Sequence, residues 1–269
     1  MRIAAFQCHA IDDDLDLLCD RLYRDLCRAA RDRVDLALFP EAYLLGHSYD
    51  RDVIARRARQ ISGGMLEMLC RRLPHGCPMI VIGAFERDRT AVFNNAIVIA
   101  HGAVRGRYAK AHPNEPGVTA GTDFPIFEQA GCRFGINICN DANHPDAAQR
   151  VADQRADLIL YPLNNMLPPA VADRWRARSI ANLQARARQT GCWIASADVT
   201  GTLGDRISHG CTAIVNPAGE VVARVEEGIA GVAMADIPIA PRPAAGPDRG
   251  RCGAAPLEPD RRFALPPKA

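Results

Sequence analysis

Short apolar runs alternate with stretches of helical period along most of this 269-residue chain, and this alternation restricts the possible folds more than any other feature. Arg2–Cys8 and Leu36–Phe39 are typical of strands, and between them Asp13–Arg33 repeats leucine at helical spacing behind aspartates that suit a helix start. Strand–helix–strand units that are mixed with hairpins, such as the one predicted at Thr212–Val225, are typical of sandwiches of sheets and helices. The sequence therefore predicts an α/β fold.

The pattern continues to Pro238 without an internal repeat or a linker, which predicts one domain over residues 1–238. Further strands are predicted at Met79–Phe85, Phe93–Ala100, Val104–Tyr108, Phe134–Ile138, Leu158–Tyr161, Trp193–Ala197 and Val232–Ile237. Further helices are predicted at Ile54–Leu73, Gln149–Ala156 and Asp173–Thr190. From residue 239 the chain is rich in proline, arginine and glycine, which predicts an irregular tail over residues 239–269.

Composition and charge exclude several classes of function. Hydrophobic residues make up 48% and charged residues 24% of the chain, as in ordinary globular proteins, and a net charge of +2 gives no reason to expect nucleic acid or an acidic membrane as a partner. The longest apolar runs are too short to span a bilayer. Because the first residues enter a strand without a signal-peptide pattern, we expect a cytoplasmic protein.

Cysteines and histidines are scattered along the chain. No two of the ten cysteines form a C-x-x-C pair, which favours reduced thiols over disulfides or a zinc site. The seven histidines include no i, i+4 pair and have no acidic cluster beside them. The sequence therefore predicts neither a metal nor a cofactor.

Three polar residues directly follow apolar runs in the sequence, at the ends of predicted strands: Glu41, Lys110 and Cys139. Open α/β sheets present reactive groups at such ends. A carboxylate in partly apolar surroundings suits a general base, an ammonium can stabilise an oxyanion, and a thiol can attack a carbonyl. A solvated glutamate, a chance lysine and a core cysteine are the ordinary interpretations of the same residues.

Lys110 is unusual in its background. Of 33 basic residues only Lys110 and Lys268 are lysines. A compact ammonium whose pKa can move differs chemically from the fixed guanidinium fork. This favours a chemical role for Lys110, although random sequence drift would also leave a single internal lysine.

Longer motifs around these three residues resemble the nitrilase superfamily of carbon–nitrogen hydrolases, over roughly residues 1–238. The motifs follow the family's order: Phe39-Pro40-Glu41, Tyr108-Ala109-Lys110-Ala111-His112, Gly135-Ile136-Asn137-Ile138-Cys139-Asn140-Asp141, Ala156-Asp157-Leu158-Ile159-Leu160-Tyr161-Pro162, Trp175 with Arg178, His209–Glu220, and Glu227-Gly228-Ile229. Each motif alone is weak, but the ordered set is highly specific.

The resemblance implies a four-layer α-β-β-α sandwich that assembles into a homodimer or a higher homo-oligomer. It implies Cys139 as nucleophile, Glu41 as general base and Lys110 as oxyanion stabiliser, with the backbone N–H of Asn140 as a second donor and no metal or cofactor. The chemistry agrees, because a protonated thiol needs a base and a tetrahedral intermediate needs preorganised donors. A nucleophilic Cys139 is also expected to have a lowered thiol pKa and to alkylate faster than the other nine cysteines.

Many members of this superfamily have a second glutamate, between the lysine and the cysteine, that positions the substrate or the lysine. Glu115 is the preferred candidate, because it lies in the loop where the family's glutamate usually stands. Glu128, in a strand-like segment, is the other candidate. Asn164 and Asn165 follow a strand end and could line the pocket, although amides that cap loops are equally ordinary.

Two local alternatives stay open. A Cys–His dyad between His144 and Cys139 is the alternative mechanism. The arginine-rich segment Arg174–Arg188 is expected to be a solvated helix face, and a surface between subunits is its alternative interpretation.

The residues after Cys139 indicate the branch of the family. Nitrilases usually continue with Trp-Glu, whereas Asn140-Asp141 favours amide or carbamoyl substrates. The Cys-Asn-Asp sequence resembles N-carbamoyl-D-amino-acid hydrolases, but their following arginine pair, which would hold a substrate carboxylate, is Ala142-Asn143 here. We therefore expect a small amide substrate, with an N-carbamoyl compound as the alternative. Acyl transfer to an amine and a non-catalytic binding protein of the same fold are further alternatives.

Overall fold

Two β-sheets form the centre of the computed structural model, which describes residues 1–239 of the chain; Met1–Ile239 form one compact unit. The strands in chain order are β1 (Arg2–His9), β2 (Leu36–Leu38), β3 (Met79–Asp88), β4 (Ala91–Ala100), β5 (Ala103–Ala109), β6 (Phe127–Gln129), β7 (Cys132–Ile136), β8 (Leu158–Pro162), β9 (Trp193–Ala197), β10 (Val199–Leu203), β11 (Arg206–Ser208), β12 (Ala213–Val215), β13 (Val221–Arg224) and β14 (Gly231–Asp236). The α-helices are α1 (Leu15–Arg31), α2 (Arg51–Gln60), α3 (Leu66–Arg72), α4 (Pro145–Ala152) and α5 (Pro169–Thr190).

Each sheet has a parallel centre. The first sheet has the strand order β11-β10-β1-β2-β3-β4-β5, with β14 paired antiparallel to β1, and the second has the order β13-β12-β9-β8-β7-β6. Strands β1, β2 and β3 run parallel, as do β7, β8 and β9. The carboxyl ends of parallel strands meet at one edge of a sheet, so the residues that follow β2, β7 and β8 gather at such edges.

Apolar side chains fill three layers. The central cluster lies between the sheets and joins residues such as Ile3 of the first sheet to residues such as Phe134 of the second. One outer cluster packs the first sheet against α1 and α3, through Leu22 among others. The other packs the second sheet against α4 and α5, through Ile159 and Leu183 among others. The predicted α/β fold, a four-layer α-β-β-α sandwich, is confirmed.

The helix predicted at Asp13–Arg33 is observed as α1, so the prediction is two residues too long at each end. Asp14 caps the helix by accepting a hydrogen bond of 2.9 Å from the N–H of Leu17. The apolar spacing in the sequence becomes the buried face of the helix, which consists of Leu18, Leu22, Leu26 and Ala29.

The predicted helix over Ile54–Leu73 is wrong in its start and its continuity. Helix α2 begins at Arg51, and a π-helical turn at Ile61–Met65 separates it from α3. Within that turn Gly64 has a φ of +110°, a conformation that glycine adopts readily and that interrupts a right-handed helix.

The hairpin of β10 and β11 was not predicted. Its first strand carries Thr200, Gly201 and Thr202 in place of an apolar alternation, and Gly204 and Asp205 form the turn. Strand β10 pairs with β1 on one side and with β11 on the other. A local sequence pattern does not reveal such pairing.

The predicted tail over residues 239–269 falls outside the described residues except for Ile239, so the domain boundary at residue 238 stays a prediction. Within residues 1–239, none of the helices is both long enough and apolar enough to cross a lipid bilayer.

Candidate active site

Strand ends bring three charged side chains together in the interior. Glu41 follows β2, Lys110 follows β5, and Glu115 lies in the loop after Lys110. The Lys110 ammonium donates hydrogen bonds of 2.7 Å to Oε1 of Glu41 and 2.7 Å to Oε1 of Glu115. All three side chains are at most 1% exposed, so water and salt screen these ion pairs weakly.

Asn94 and His47 complete this buried network. Nδ2 of Asn94, on β4, donates to Oε1 of Glu41 and to Oε1 of Glu115, each at 2.8 Å, and Nε2 of His47 lies 3.1 Å from Oε1 of Glu115. Sequence reasoning missed both residues, because neither stands at a strand end or in one of the recognised motifs. The signal for Asn94 is its place inside an apolar strand, since a buried amide needs a polar partner.

Burial and charge move the pKa values of the three charged groups in different ways. Burial raises the pKa of Glu41 above the usual glutamate value, against the opposing charge of Lys110. Burial would also raise the pKa of Glu115, but hydrogen bonds and charge from His47 and Lys110 hold that pKa well below the usual range. Burial lowers the pKa of Lys110, but the charge of Glu41 and the other anions around it outweigh burial and raise it. Lys110 is therefore an ammonium, and Glu41 is the more easily protonated carboxylate.

The network leaves one basic atom free. Oε1 of Glu41 is held by Lys110 and Asn94, whereas its buried Oε2 accepts no hydrogen bond from any described residue. The third donor of Lys110 reaches Oδ1 of Asn114 at 3.3 Å, the longest of its three hydrogen bonds. A buried carboxylate oxygen without a partner is costly, so Oε2 is suited to receive a proton or a ligand group.

Cys139 begins a 3₁₀ turn at Cys139–Asn143, shortly after β7. Its φ is +42°, in the left-handed region, which costs a non-glycine residue roughly 1–2 kcal/mol. Asp141 holds the turn, because its Oδ2 accepts hydrogen bonds from the N–H of Ile138 and the hydroxyl of Tyr108, both at 2.8 Å. The surrounding structure therefore fixes the thiol at a strained position.

The thiol of Cys139 is protonated in this resting arrangement. Burial raises its pKa well above the usual cysteine value, and the charge of Glu41 raises it further against the opposing effect of Lys110. The expectation of a lowered pKa is therefore wrong, because desolvation and a neighbouring carboxylate outweigh the ammonium. Attack on a carbonyl from this arrangement requires a base to take the thiol proton.

The other predicted polar residues lie beside Cys139. Within the described chain the backbone N–H of Asn140 donates no hydrogen bond. Asn164 and Asn165 follow β8, and Nδ2 of Asn164 donates to the backbone carbonyl of Glu41 at 3.3 Å. Asn140, Asn164 and Asn165 all line one pocket with Cys139.

This pocket has a volume of about 110 Å³. Trp175 and Leu183 contribute to its wall from α5, and Tyr49 also lines it. Tyr49 and Asn164 also line a second cavity, of about 520 Å³, and Arg206 of β11 lies over the Tyr49 ring, 5.1 Å from its centroid. The unpredicted hairpin thus contacts the region of the site.

Two alternative residues lie outside the network. Glu128 is exposed on β6, whereas Glu115 bonds Lys110, so the geometry favours Glu115 as the second glutamate. His144 stacks on His112 with ring centroids 3.7 Å apart. Among the described residues no hydrogen bond joins His144 to Cys139, so the geometry does not favour a Cys–His dyad.

The arginines of α5 are mostly exposed. Arg176 pairs with Glu227 at 2.5 Å, and the Arg178 guanidinium lies 5.6 Å from the centroid of the Trp175 ring. Arg186 is half-buried, and its Nε and Nη1 have no hydrogen-bond partner among the described residues. These contacts agree with the predicted solvated face, and the alternative of a surface between subunits stays a prediction.

His112 and His144 also gather with Asp146, with potential ligand atoms within 4.8 Å of one another, which the histidine spacing did not anticipate. Nδ1 of His112 already lies 3.1 Å from Oδ1 of Asp141, and the two stacked rings are parallel within 3°. A second such group belongs to the buried network, where an ammonium already supplies the positive charge. We assign no metal to either group.

Comparison with known proteins identifies the family. A family model described as carbon-nitrogen hydrolase matches residues 2–242. The "hydrolase in pqqF 5'region" of Pseudomonas protegens is 29% identical, over 83% of this chain and 78% of that protein. The deaminated glutathione amidase of Escherichia coli O157:H7 is 26% identical, over 75% of this chain and 78% of that protein.

Solved structures share the fold. An amidase from Nesterenkonia sp. superposes with a TM-score of 0.77 at 23% identity, over 88% of this chain and 90% of that chain. A mutant amidase from Nesterenkonia sp. AN1 carries the acetamide moiety of fluoroacetamide covalently added at its active site cysteine. Since the family model covers nearly all of the described chain, this protein belongs to the carbon–nitrogen hydrolase family of the nitrilase superfamily, enzymes that act on carbon–nitrogen bonds other than peptide bonds.

Proposed function

We propose that this protein hydrolyses a small primary amide to a carboxylic acid and ammonia through an acyl-thioester on Cys139. The observation that carries the proposal is Oε2 of Glu41, a buried carboxylate oxygen that accepts no hydrogen bond from any described residue, while the charge of the same carboxylate raises the pKa of the Cys139 thiol. A carboxylate that Lys110 and Asn94 hold at one oxygen presents the other in a fixed direction. The adduct on the cysteine of the mutant Nesterenkonia amidase supports a nucleophilic cysteine in this fold, although its acetamide moiety is retained and not hydrolysed.

In the first half-reaction, Sγ of Cys139 attacks the amide carbonyl carbon while Oε2 of Glu41 accepts the thiol proton. The π electron pair of the carbonyl moves to its oxygen and forms a tetrahedral oxyanion. Glu41 then delivers the proton to the nitrogen, the C–N bond breaks, and ammonia leaves. The raised pKa of Glu41 suits this exchange, because the same group serves as base and as acid.

Two donors are available to the oxyanion. One is the backbone N–H of Asn140, which donates no hydrogen bond within residues 1–239. The other is the third N–H of Lys110, which exchanges its 3.3 Å bond to Asn114 for a stronger bond to a charged oxygen, while the two 2.7 Å bonds keep the ammonium in position. A donor of this kind typically contributes about 10²–10³ in rate.

In the second half-reaction, water hydrolyses the thioester. Glu41 takes a proton from water as the oxygen attacks the thioester carbon, and the C–S bond breaks when the tetrahedral intermediate collapses. The departing thiolate of Cys139 recovers the proton from Glu41, and the acid is released. The enzyme returns to its resting protonation state.

Glu115, Asn94 and His47 are positioning residues in this proposal, because each acts through hydrogen bonds within the network that holds Glu41 and Lys110. Glu115 supplies the second negative charge that keeps Lys110 protonated and directed. Asn94 of β4 donates hydrogen bonds to both Glu41 and Glu115, which fixes the separation of their carboxylates. We retain a cytoplasmic location and a homodimer or higher homo-oligomer as predictions.

The experiment that tests the function is ammonia release from propionamide, propionitrile and N-carbamoylglycine by the purified full chain. We expect the amide to react at least about tenfold faster than the other two. In hydroxylamine, part of the product should become propionohydroxamate, because the amine competes with water for the thioester. This second readout separates an acyl-enzyme from direct attack by water.

Each other outcome supports a different hypothesis. Ammonia from N-carbamoylglycine alone would support the carbamoyl alternative. Hydroxamate formation that exceeds acid formation at low hydroxylamine would favour acyl transfer to an amine. No reaction with any of the three compounds would support a non-catalytic binding protein of this fold.

Gly83 of β3 gives a prediction about how Glu41 is held. A Cβ at Gly83 would lie 2.2 Å from the backbone N of Ala42 and 2.6 Å from Cα of Glu41, closer than atoms can pack. Gly83→Ala should therefore displace Glu41, lower kcat/KM for propionamide at least about tenfold, and destabilise the fold by about 1–3 kcal/mol in urea unfolding. Gly63→Ala is the control, since a Cβ there meets nothing within 4 Å. Equal effects of the two substitutions would contradict this account.

A further inference from the structure

The pocket around Cys139 is lined by asparagine to an unusual degree. Of its fourteen lining residues, all within the described chain, six are asparagine and none carries a charge. The six are Asn114, Asn140, Asn143, Asn164, Asn165 and Asn182. The sequence motifs explain why the pocket wall is polar but not why it is rich in asparagine. The asparagines therefore raise the question of which substrate groups the pocket selects.

Three of these amides form a directed chain. Nδ2 of Asn182 donates to Oδ1 of Asn143, whose Nδ2 donates to Oδ1 of Asn140, whose Nδ2 donates to the backbone carbonyl of His112. Because the last acceptor is a carbonyl, which cannot donate, each amide must use its NH₂ group toward the next member. The orientation of all three is therefore determined, and Oδ1 of Asn182, at the start of the chain, is an acceptor without a partner among the described residues.

Asn165 presents a second acceptor. Its backbone N–H and its Nδ2 both donate to the buried carboxylate of Asp198, at 3.0 and 2.6 Å. A carboxylate accepts these bonds, so the amide must turn its NH₂ group to Asp198 and its Oδ1 away from it. Oδ1 of Asn165 has no hydrogen-bond donor among the described residues. Asn165 and Asn182 thus give the pocket two oriented, uncharged acceptors.

We propose that the pocket selects primary amides whose acyl group carries a second uncharged group with N–H or O–H donors, bound by Oδ1 of Asn165 and Oδ1 of Asn182. This inference rests on the proposed amide hydrolysis and names its substrate class. A carboxylate would face these acceptors without a cation, and an apolar group would leave both of them unpaired, and each is unfavourable.

A positively charged group is disfavoured for a related reason. The carboxylate beyond Asn165 is already engaged by two hydrogen bonds from that residue, and no lining residue carries a negative charge. An ammonium that leaves water for this wall would gain neutral acceptors only, which compensate its desolvation poorly. The apolar part of the wall, from Leu163, Leu167, Leu183 and Trp175, suits the methylene groups between the two polar ends.

Four primary amides of matched length test the inference. Succinamide ends in a neutral amide, succinamate in a carboxylate, 4-aminobutanamide in an ammonium and 4-methylpentanamide in an isopropyl group. We expect kcat/KM for succinamide, per amide group, to exceed that for each of the other three at least about tenfold. Asn182→Leu should reduce the ratio of succinamide to 4-methylpentanamide by about tenfold, whereas Gln189→Leu, on the exposed side of the same helix, should leave the ratio unchanged.

Binding to the Cys139→Ala protein, measured by calorimetry, separates this inference from the proposed function. We expect succinamide to bind at least about tenfold more tightly than its three analogues, with or without turnover by the intact enzyme. Tight binding of succinamide without turnover would overturn the hydrolytic function and keep only the selectivity of the pocket for an uncharged donor group. Parity of succinamate, 4-aminobutanamide or 4-methylpentanamide with succinamide, in turnover or in binding, would overturn the substrate class, and active hydrolysis of propionamide would then leave the function intact.

Discussion

Cys139→Ser is expected to lower kcat/KM for propionamide by at least about 10³-fold. Serine keeps the size of the side chain and its position in the turn, but its hydroxyl is a far weaker acid than a thiol, and Glu41 is not basic enough to deprotonate it. Ammonia release and hydroxamate formation in hydroxylamine should fall together, because both require the acyl-enzyme. Both are measured at enzyme concentrations high enough to detect the residual rate.

Cys19→Ser is the matched control for removal of a thiol. Cys19 lies on α1, is partly exposed and does not line the pocket, so activity should stay within about twofold of the original enzyme. Full turnover by Cys139→Ser would contradict the nucleophile assignment. It would also leave the free oxygen of Glu41 without a thiol to activate.

The fold could be predicted where local patterns and burial agree. The leucines of Asp13–Arg33 repeat at helical spacing, and the same residues form the buried face of α1. The pattern failed where two elements join or where neighbours decide the structure. Periodicity alone does not register the turn at Ile61–Met65, since the apolar residues on both sides of Gly64 keep helical spacing. The hairpin Val199–Ser208 depends on pairing with β1, which no local pattern encodes.

The site could be predicted in part because reactive side chains often follow the ends of buried strands. Glu41 follows β2 of the first sheet and Cys139 follows β7 of the second, and the turn chemistry after each strand is visible in the sequence. Asn94 and Asn182 could not be found in this way, because each acts through a contact with a residue distant in sequence. Nothing local distinguishes Asn94 from its neighbour Asn95, which instead bonds Glu86.

The protonation state of the thiol was the sharper failure. We expected a lowered pKa for the Cys139 thiol, as is usual for a nucleophilic cysteine. In the structure the ammonium of Lys110 is paired with Glu41 and Glu115, and burial and the charge of Glu41 raise the pKa of the thiol. The proposed mechanism therefore needs a general base at the moment of attack, which makes Glu41 the second residue whose removal should strongly reduce turnover.

Glu41→Gln is expected to lower kcat/KM for propionamide by about 10²–10⁴-fold, the usual contribution of a positioned general acid–base. The amide keeps the shape of the side chain and an oxygen for Lys110 but cannot accept the thiol proton. In the original enzyme kcat/KM should fall on the acid side with a midpoint above the ordinary glutamate range, because burial raises the pKa of Glu41. The residual rate of the variant should lack that acid limb.

Stability separates this loss from damage to the fold. A carboxyl group whose pKa is raised on folding contributes stability that is present below its unfolded pKa and is lost as the pH rises through the folded value. Ionised Glu41 therefore lowers the stability of the fold at pH 8. The Glu41→Gln variant, which carries no charge there, should unfold at the same temperature as the original enzyme or at a higher one. Glu128→Gln, on the exposed face of β6, should change neither activity nor stability. A variant that keeps the acid limb, or that loses activity only together with its fold, would remove Glu41 from the base role.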